Sequence, residues 1–272
     1  MIDTPTLLLM LVFLLLIGAF AGVIAGLLGV GGGIVLVPAY FYTFEHLGFG
    51  GDQLMQICLG TSLATIVVTS MRSLHGHHKR GAVDWAILKS WAIYIALGAV
   101  AGFYLASTLR SGTLQWIFAI LAMIASLYMG LGKDHWRIGV KMPSGAARWG
   151  LGGALGFFSS LMGIGGGTFG VPLMSVYSVP IHRAVATAAG FGIIIALPAA
   201  VGYLTLVVDH PPPFSLGAVN GPAFLVTIAM TVLTTPWGVA LAHKMDARPL
   251  KKAFAGFVFL VALNMMRKAL GY

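Results

Sequence analysis

Two glycine runs are the residues of this chain best suited to chemistry. The first reads Gly29-Val30-Gly31-Gly32-Gly33-Ile34-Val35-Leu36-Val37-Pro38, and the second, 134 residues later, reads Gly163-Ile164-Gly165-Gly166-Gly167-Thr168-Phe169-Gly170-Val171-Pro172. Glycine lets a backbone unwind and approach a ligand closely. Each run leads into a short apolar helical segment, so several unpaired N–H groups and the positive end of a helix dipole converge, an arrangement that suits an anion. Gly31, Gly32, Gly33, Gly165, Gly166 and Gly167 are therefore candidate binding residues, and Thr168 adds a hydroxyl. Thr61, Ser62 and Thr187 are expected to line the same cavity from neighbouring segments. His182 and Arg183, beside Pro180, form a candidate electropositive entrance, and the four-residue spacing puts Arg183 and Thr187 on one helix face. A structural reading competes at each position. Small residues allow close helix packing in lipid, a Ser or Thr bonds its own helix, and basic residues at a segment end anchor topology.

Other chemistries are excluded. A nucleotide P-loop needs Lys-Ser or Lys-Thr after its last glycine, whereas Ile34-Val35 and Thr168-Phe169 follow here. No metal cluster is evident: His75, His77 and His78 share a basic stretch with Lys79 and Arg80, and interfacial anchoring is their expected role. All seven acidic residues (Asp3, Glu45, Asp52, Asp84, Asp134, Asp209, Asp246) fall at segment ends or in loops. Proton pumps place carboxylates in mid-span. Cation substrates and carboxylate relays are thus disfavoured, which leaves hydroxyls, carbonyls, a histidine or the substrate's own proton for any coupling. No cofactor is called for.

The elements that position these residues are membrane segments. Of 272 residues, 58% are hydrophobic and 8% charged, against about 25% charged in soluble domains. The net charge of +9 does not signal nucleic acid, because the basic residues cluster between apolar runs as the positive-inside rule requires. The single cysteine, Cys58, reads as an inert packing residue. The N-terminus lacks a basic n-region, so the first apolar run is expected to be a retained segment.

Ten apolar segments are predicted, at about 6–28, 33–44, 53–75, 85–109, 113–131, 147–162, 166–179, 182–207, 218–243 and 249–270. Five match five. Beyond the glycines, Gly81-Ala82-Val83 matches Gly217-Ala218-Val219 at offset 136, and Thr61 meets Thr187 at offset 126. The division is a first repeat over 1–132, a cytoplasmic linker over 133–146 and a second repeat over 147–272. With five segments per half, the second is expected to be inverted. The charges agree: Arg72, Lys79 and Arg80 follow segment three, while its counterpart loop holds Asp209 and no Lys or Arg. The bridge carries Lys133, Arg137, Lys141 and Arg148, and the loop after segment nine carries Lys244, Arg248, Lys251 and Lys252. Basic loops in the cytoplasm put both termini outside; Arg110 and Arg267-Lys268 are exceptions. A span needs about 20 apolar residues. Segments two, six and seven are shorter, so each glycine turn belongs to a broken helix pair or a re-entrant hairpin near the midplane.

The paired Gly-x-Gly-Gly-Gly-x4-Pro motifs, Gly60-Thr61-Ser62, the His77-His78-Lys79-Arg80-Gly81-Ala82-Val83-Asp84-Trp85 loop and Ala184-Val185-Ala186-Thr187 resemble the TauE/SafE sulfite exporter family over essentially the whole chain. The resemblance implies an inner-membrane permease for sulfur-containing oxyanions or sulfonates such as sulfite, thiosulfate or sulfoacetate. Two departures are Ala186-Thr187-Ala188 where the first half has Gly-Thr-Ser, and Arg72 near the end of segment three. The expected fold is an all-α polytopic membrane protein of two inverted five-segment repeats. Its partners are a small anion and the lipid bilayer, and a homodimer is compatible. A passive anion channel is the alternative function, and an intramembrane enzyme a remoter one.

Overall fold

The structure, a computed structural model, describes residues 4–49, 51–132, 137–244 and 247–270, with backbone only for 247–251. Lys133, used to read topology, and Asp3, Asp134 and Asp246, three of the seven acidic residues, lie outside the described residues, as do the side chains of Arg248 and Lys251. Among the described residues there are ten helices: α1 (Thr4–Leu28), α2 (Gly33–His46), α3 (Leu54–His78), α4 (Trp85–Thr108), α5 (Ser111–Leu131), α6 (Gly145–Leu161), α7 (Gly167–Val176), α8 (Ile181–Thr205), α9 (Gly221–Lys244) and α10 (Ala247–Ala269). Each predicted segment is a helix, with ends shifted by a few residues. Six of them, α1, α3, α4, α5, α8 and α9, are long and apolar enough to cross a membrane, while α7 is short and apolar. The protein is an all-α polytopic membrane protein.

The sequence reading missed one element. Ala218–Asn220, expected to open segment nine, instead belongs to a small hairpin of β1 (Ser215–Leu216) and β2 (Val219–Asn220), antiparallel with Ser215 opposite Asn220. The Ala218 N–H donates to the Tyr203 carbonyl at the end of α8 (2.8 Å), so the loop is folded back on the bundle.

Helix partners follow one rule. α1 packs mainly on α9 and α4 on α6; α3 packs on α9 and α4 on α8; α2 packs on α3 and α7 on α8; α3 meets α8, and α5 meets α10. Exchanging α1–α5 for α6–α10 turns each of these pairs into another of them or into itself. α3 and α8 form the buried centre. The close crossings are made by glycine: a Cβ on Gly156 of α6 would run into the Ile95 carbonyl and stand 2.8 Å from the Ala99 nitrogen of α4. In lipid, dispersion between closely approaching backbones replaces much of the hydrophobic drive.

Candidate functional site

The two glycine turns meet in the centre, backbone against backbone. Gly29, Gly31, Gly32 and Gly163 have positive φ, which lets the chain leave α1 and α6 sharply before α2 and α7 begin. The Gly165 N–H donates to the Val30 carbonyl (3.1 Å), tying one turn to the other. A Cβ on Gly167 would stand 2.5 Å from the Gly29 oxygen and the Val30 nitrogen, and a Cβ on Gly33 would stand 2.8 Å from Ile164 Cα and collide with the Gly163 carbonyl. Gly31 and Gly165 face each other the same way, at 3.4 Å and 3.2 Å from Cβ to opposing Cα. Gly32 faces the Ala21 backbone of α1, and Gly166 faces Ala188, Phe191 and Gly192 of α8. Protein atoms from the other half or from a flanking helix therefore occupy the space each missing side chain leaves.

Helix starts remain. Gly32 and Gly166 cap α2 and α7 without any side-chain bond, and the first N–H groups of a helix have no partner inside it. Two hydroxyls gather near the start of α7. Thr168, 3% exposed, and Ser70 of α3, 1% exposed, both lack a hydrogen-bond partner. Ser70 lies between the turns: a Cβ on Gly31 would be 3.3 Å from its Oγ, and a Cβ on Gly192 would contact the same oxygen while standing 3.7 Å from the Gly166 nitrogen. An unpaired buried hydroxyl costs about 1–3 kcal/mol. Ser70 lies close to the Gly166 nitrogen and Thr168 is the second residue of α7, so both hydroxyls belong to the helix start, where the N–H groups have no partner inside the helix; such a spot suits a small oxyanion.

The structure gives the other predicted hydroxyls protein partners. Ser62 donates to the Gly163 carbonyl (2.8 Å) and so holds the second turn. Thr61 accepts from the Asn220 N–H (3.0 Å), and Thr187 accepts from the Asp84 N–H (2.9 Å). Asp84 and Asn220 are themselves matched caps. Asp84 Oδ1 accepts from Ala86 and Ile87, and Asn220 Oδ1 accepts from Ala223. Each threonine thus fastens the helix start of the opposite half, at positions related by the same offsets as the rest of the repeat.

The entrance residues are also placed. Arg183 pairs with Asp84 (3.3 Å) and is half exposed, so its charge is already compensated, and His182 stacks on His243 at 6.1 Å. The histidines expected as loop anchors form the last turn of α3. His77 is fully buried, which overturns its anchoring role, whereas His75 and His78 are exposed. Uncompensated charge gathers beside them: Arg72, His75, Lys79 and Arg80 line a cleft of about 240 Å³ against Pro236 and Val239 of α9. A second groove of about 610 Å³ shares Arg72 and His75 and runs along α3 to Val68 and Ile193. Those two residues lie near the axial level of Ser70 and Gly192, on the outer flank of α3 with exposed Met71, so the basic cleft and the glycine crossing are on the same side of the bundle but are not joined by this groove. Ser70 carried no signal in the sequence, since one serine among several on α3 is singled out only by what surrounds it.

A family model described as sulfite exporter TauE/SafE matches residues 14–265. A "Probable membrane transporter protein" of Haemophilus influenzae is 33% identical over 93% of this chain and 97% of its own length. One of Methanocaldococcus jannaschii with the same description is 25% identical over 95% and 96%, and one of Bacillus subtilis is 30% identical over 65% and 71%.

Proposed function

The chain belongs to the sulfite exporter TauE/SafE family and is a membrane transporter rather than an enzyme; we propose that it carries small sulfur-containing oxyanions or sulfonates across the inner membrane, sulfite and thiosulfate first among them. The observation that carries this reading is the pair of unpartnered, buried hydroxyls of Ser70 and Thr168 at the start of α7, whose N-cap Gly166 offers no side-chain bond. Donors without acceptors select an anion, and the absence of described mid-span carboxylates removes the competition for a cation. The glycines act as the hinge that lets the two turns cross, which brings the start of α7 in one half to the Ser70 hydroxyl of the other.

Exchange of helix partners between halves supports an inverted repeat with its two-fold axis in the membrane plane, and hence alternating access. The basic mouth at Arg72, His75, Lys79 and Arg80 lies on the cytoplasmic side, and export is the direction favoured by a mouth that concentrates anions there. Both termini are then periplasmic.

A thermal-shift panel tests the site on purified protein. Sulfite and thiosulfate are expected to raise the unfolding midpoint, because a ligand stabilises the state it binds. Ser70→Ala and Thr168→Val are expected to unfold no earlier than wild type without anion, since each removes an unsatisfied group, yet to bind about 5–10-fold more weakly, as loss of one hydrogen bond of about 1 kcal/mol implies. Unchanged anion stabilisation in both variants would place the substrate elsewhere.

A further inference from the structure

Along α3, Thr61, Thr65, Thr69, Ser73 and His77 recur at every fourth residue, and all five are buried to within 1%. Each member sits about one turn from the next; because four residues overshoot a turn by about 40°, the ladder winds from the α9 side at Thr65 toward α1 at Ser73 and His77. It covers about 24 Å at 1.5 Å per residue, most of a hydrocarbon core of about 30 Å. α9 faces it in parallel. Tyr40 of α2 bonds Thr227 (2.6 Å) and Thr65 (3.1 Å), and His77 Nδ1 meets His243 Nε2 at 3.2 Å.

The matched interface in the other half has no such ladder. The positions on α8 that correspond to the five are Thr187, Phe191, Ile195, Ala199 and Tyr203, also buried, and Thr227 corresponds to Trp91 of α4. The fold therefore closes the middle of this kind of interface, at Phe191, Ile195 and Ala199, without polar groups, and only the end positions Thr187 and Tyr203 carry a hydroxyl. Thr65 and Thr69 satisfy themselves on carbonyls of their own helix (2.8 and 2.9 Å), but packing does not require them to be there. One-sided polarity in a two-sided fold points to function.

The histidine end has a defined proton arrangement. The Gly26 carbonyl of α1, 3.0 Å from His77 Nε2, can only accept, so that nitrogen carries the proton. His77 Nδ1 is then a bare acceptor for the His243 Nε2–H. The groups facing the pair are His182 from α8 and Arg80 just beyond α3, whose guanidinium donates to the Val239 carbonyl at 3.3 Å. α1 contributes carbonyls only, and Ser73 reaches the next of them, that of Ala25, at 3.4 Å.

We propose that the α3 ladder is a proton path and that the His77–His243 pair is its loading site, coupling proton movement to anion transport. An incoming proton binds the outer nitrogen of His243; the Nε2 proton of that ring passes to His77 Nδ1, so one N–H bond forms as another breaks and the charge moves inward. The cationic His77 then gives its Nε2 proton, held on the Gly26 carbonyl at rest, to a water beside the Ser73 hydroxyl, and a ring flip restores the resting tautomer. Ser73, Thr69 and Thr65 follow at about 6 Å intervals along the helix, and the path requires water to enter between them. This proposal rests on the transporter reading for its anion, not for its proton site.

Proteoliposomes loaded with pyranine and given a thiosulfate gradient test it, because thiosulfate carries no exchangeable proton of its own near neutrality. Wild type is expected to move protons with thiosulfate. His77→Gln, which can still donate to the Gly26 carbonyl, and Thr69→Val, which leaves the histidines intact, are expected to lose proton movement by about a hundredfold while thiosulfate exchange persists. Proton movement unchanged in both variants, or exchange by wild type with no proton movement, would overturn the proposal. Should wild type move neither thiosulfate nor sulfite, the substrate reading fails, and nitrogen-15 spectra of the histidines decide the proton site. Both rings are expected to shift together in one joint step as the pH is lowered, with that step lost in His77→Gln. Separate titration, or none, would overturn the pair.

Discussion

Gly167→Ala isolates the crossing of the two turns from every other role of glycine. Gly167 does not need a positive φ, and alanine is the better helix former by about 1 kcal/mol. By local preference alone the variant should be more stable. Across the turn, however, the new Cβ would stand 2.5 Å from the Gly29 oxygen and the Val30 nitrogen. Both are backbone atoms in the middle of a turn fixed by positive φ at Gly29 and Gly31, so neither can rotate away. Overpacking of this kind costs about 1–3 kcal/mol, and each kcal/mol lowers the unfolding midpoint of a chain this size by about 2–4 °C. Thermal unfolding in detergent is the assay, with Gly153→Ala in α6 as control, since nothing lies within 4 Å of a Cβ there. Gly167→Ala is expected to fall and the control to hold or rise. A Gly167→Ala protein with wild-type midpoint and wild-type flux would refute the claim that the turns are packed on each other.

Three further outcomes are expected. Thr61→Val strands the buried Asn220 N–H and should cost about 1–3 kcal/mol of stability, whereas Thr187→Val should cost less because Asp84 is partly exposed, as paired thermal unfolding will show. Cysteines at Gly48 and Arg137, both exposed, should react with impermeant reagent from opposite faces, 48 from the periplasm and 137 from the cytoplasm, and labelling of both from one face would remove the topology; buried Cys58 stays silent. Arg183→Gln should change stability by no more than about 1 kcal/mol, as an exposed pair allows, and should weaken apparent affinity less than Arg72→Gln in inverted vesicles, with added salt narrowing both effects.

Hydropathy and glycine spacing determined a good deal by themselves. The ten segments, the membrane class and the matched glycine turns are local properties, because a lipid-facing helix must be apolar along its own length and a turn needs its own glycines. The offset pairing of Thr61 with Thr187 was also legible, and the structure reveals its sense: both threonines cap a helix of the opposite half. That relation could not be read in advance, since it joins residues more than 100 apart that only the crossing of the halves brings together. The same holds for Arg183, which pairs with Asp84 rather than standing free at an entrance, for His77, whose place in a basic run suggested an exposed anchor until α1 and α9 enclosed it, and for Ser70, which became notable only when its hydroxyl was left without a partner beside Gly31 and Gly192. The fourfold spacing on α3 stands in the sequence, yet spacing fixes only that each side chain sits about one turn from the next. Which neighbour each of them meets is decided by packing between helices, and that decision belongs to the tertiary structure.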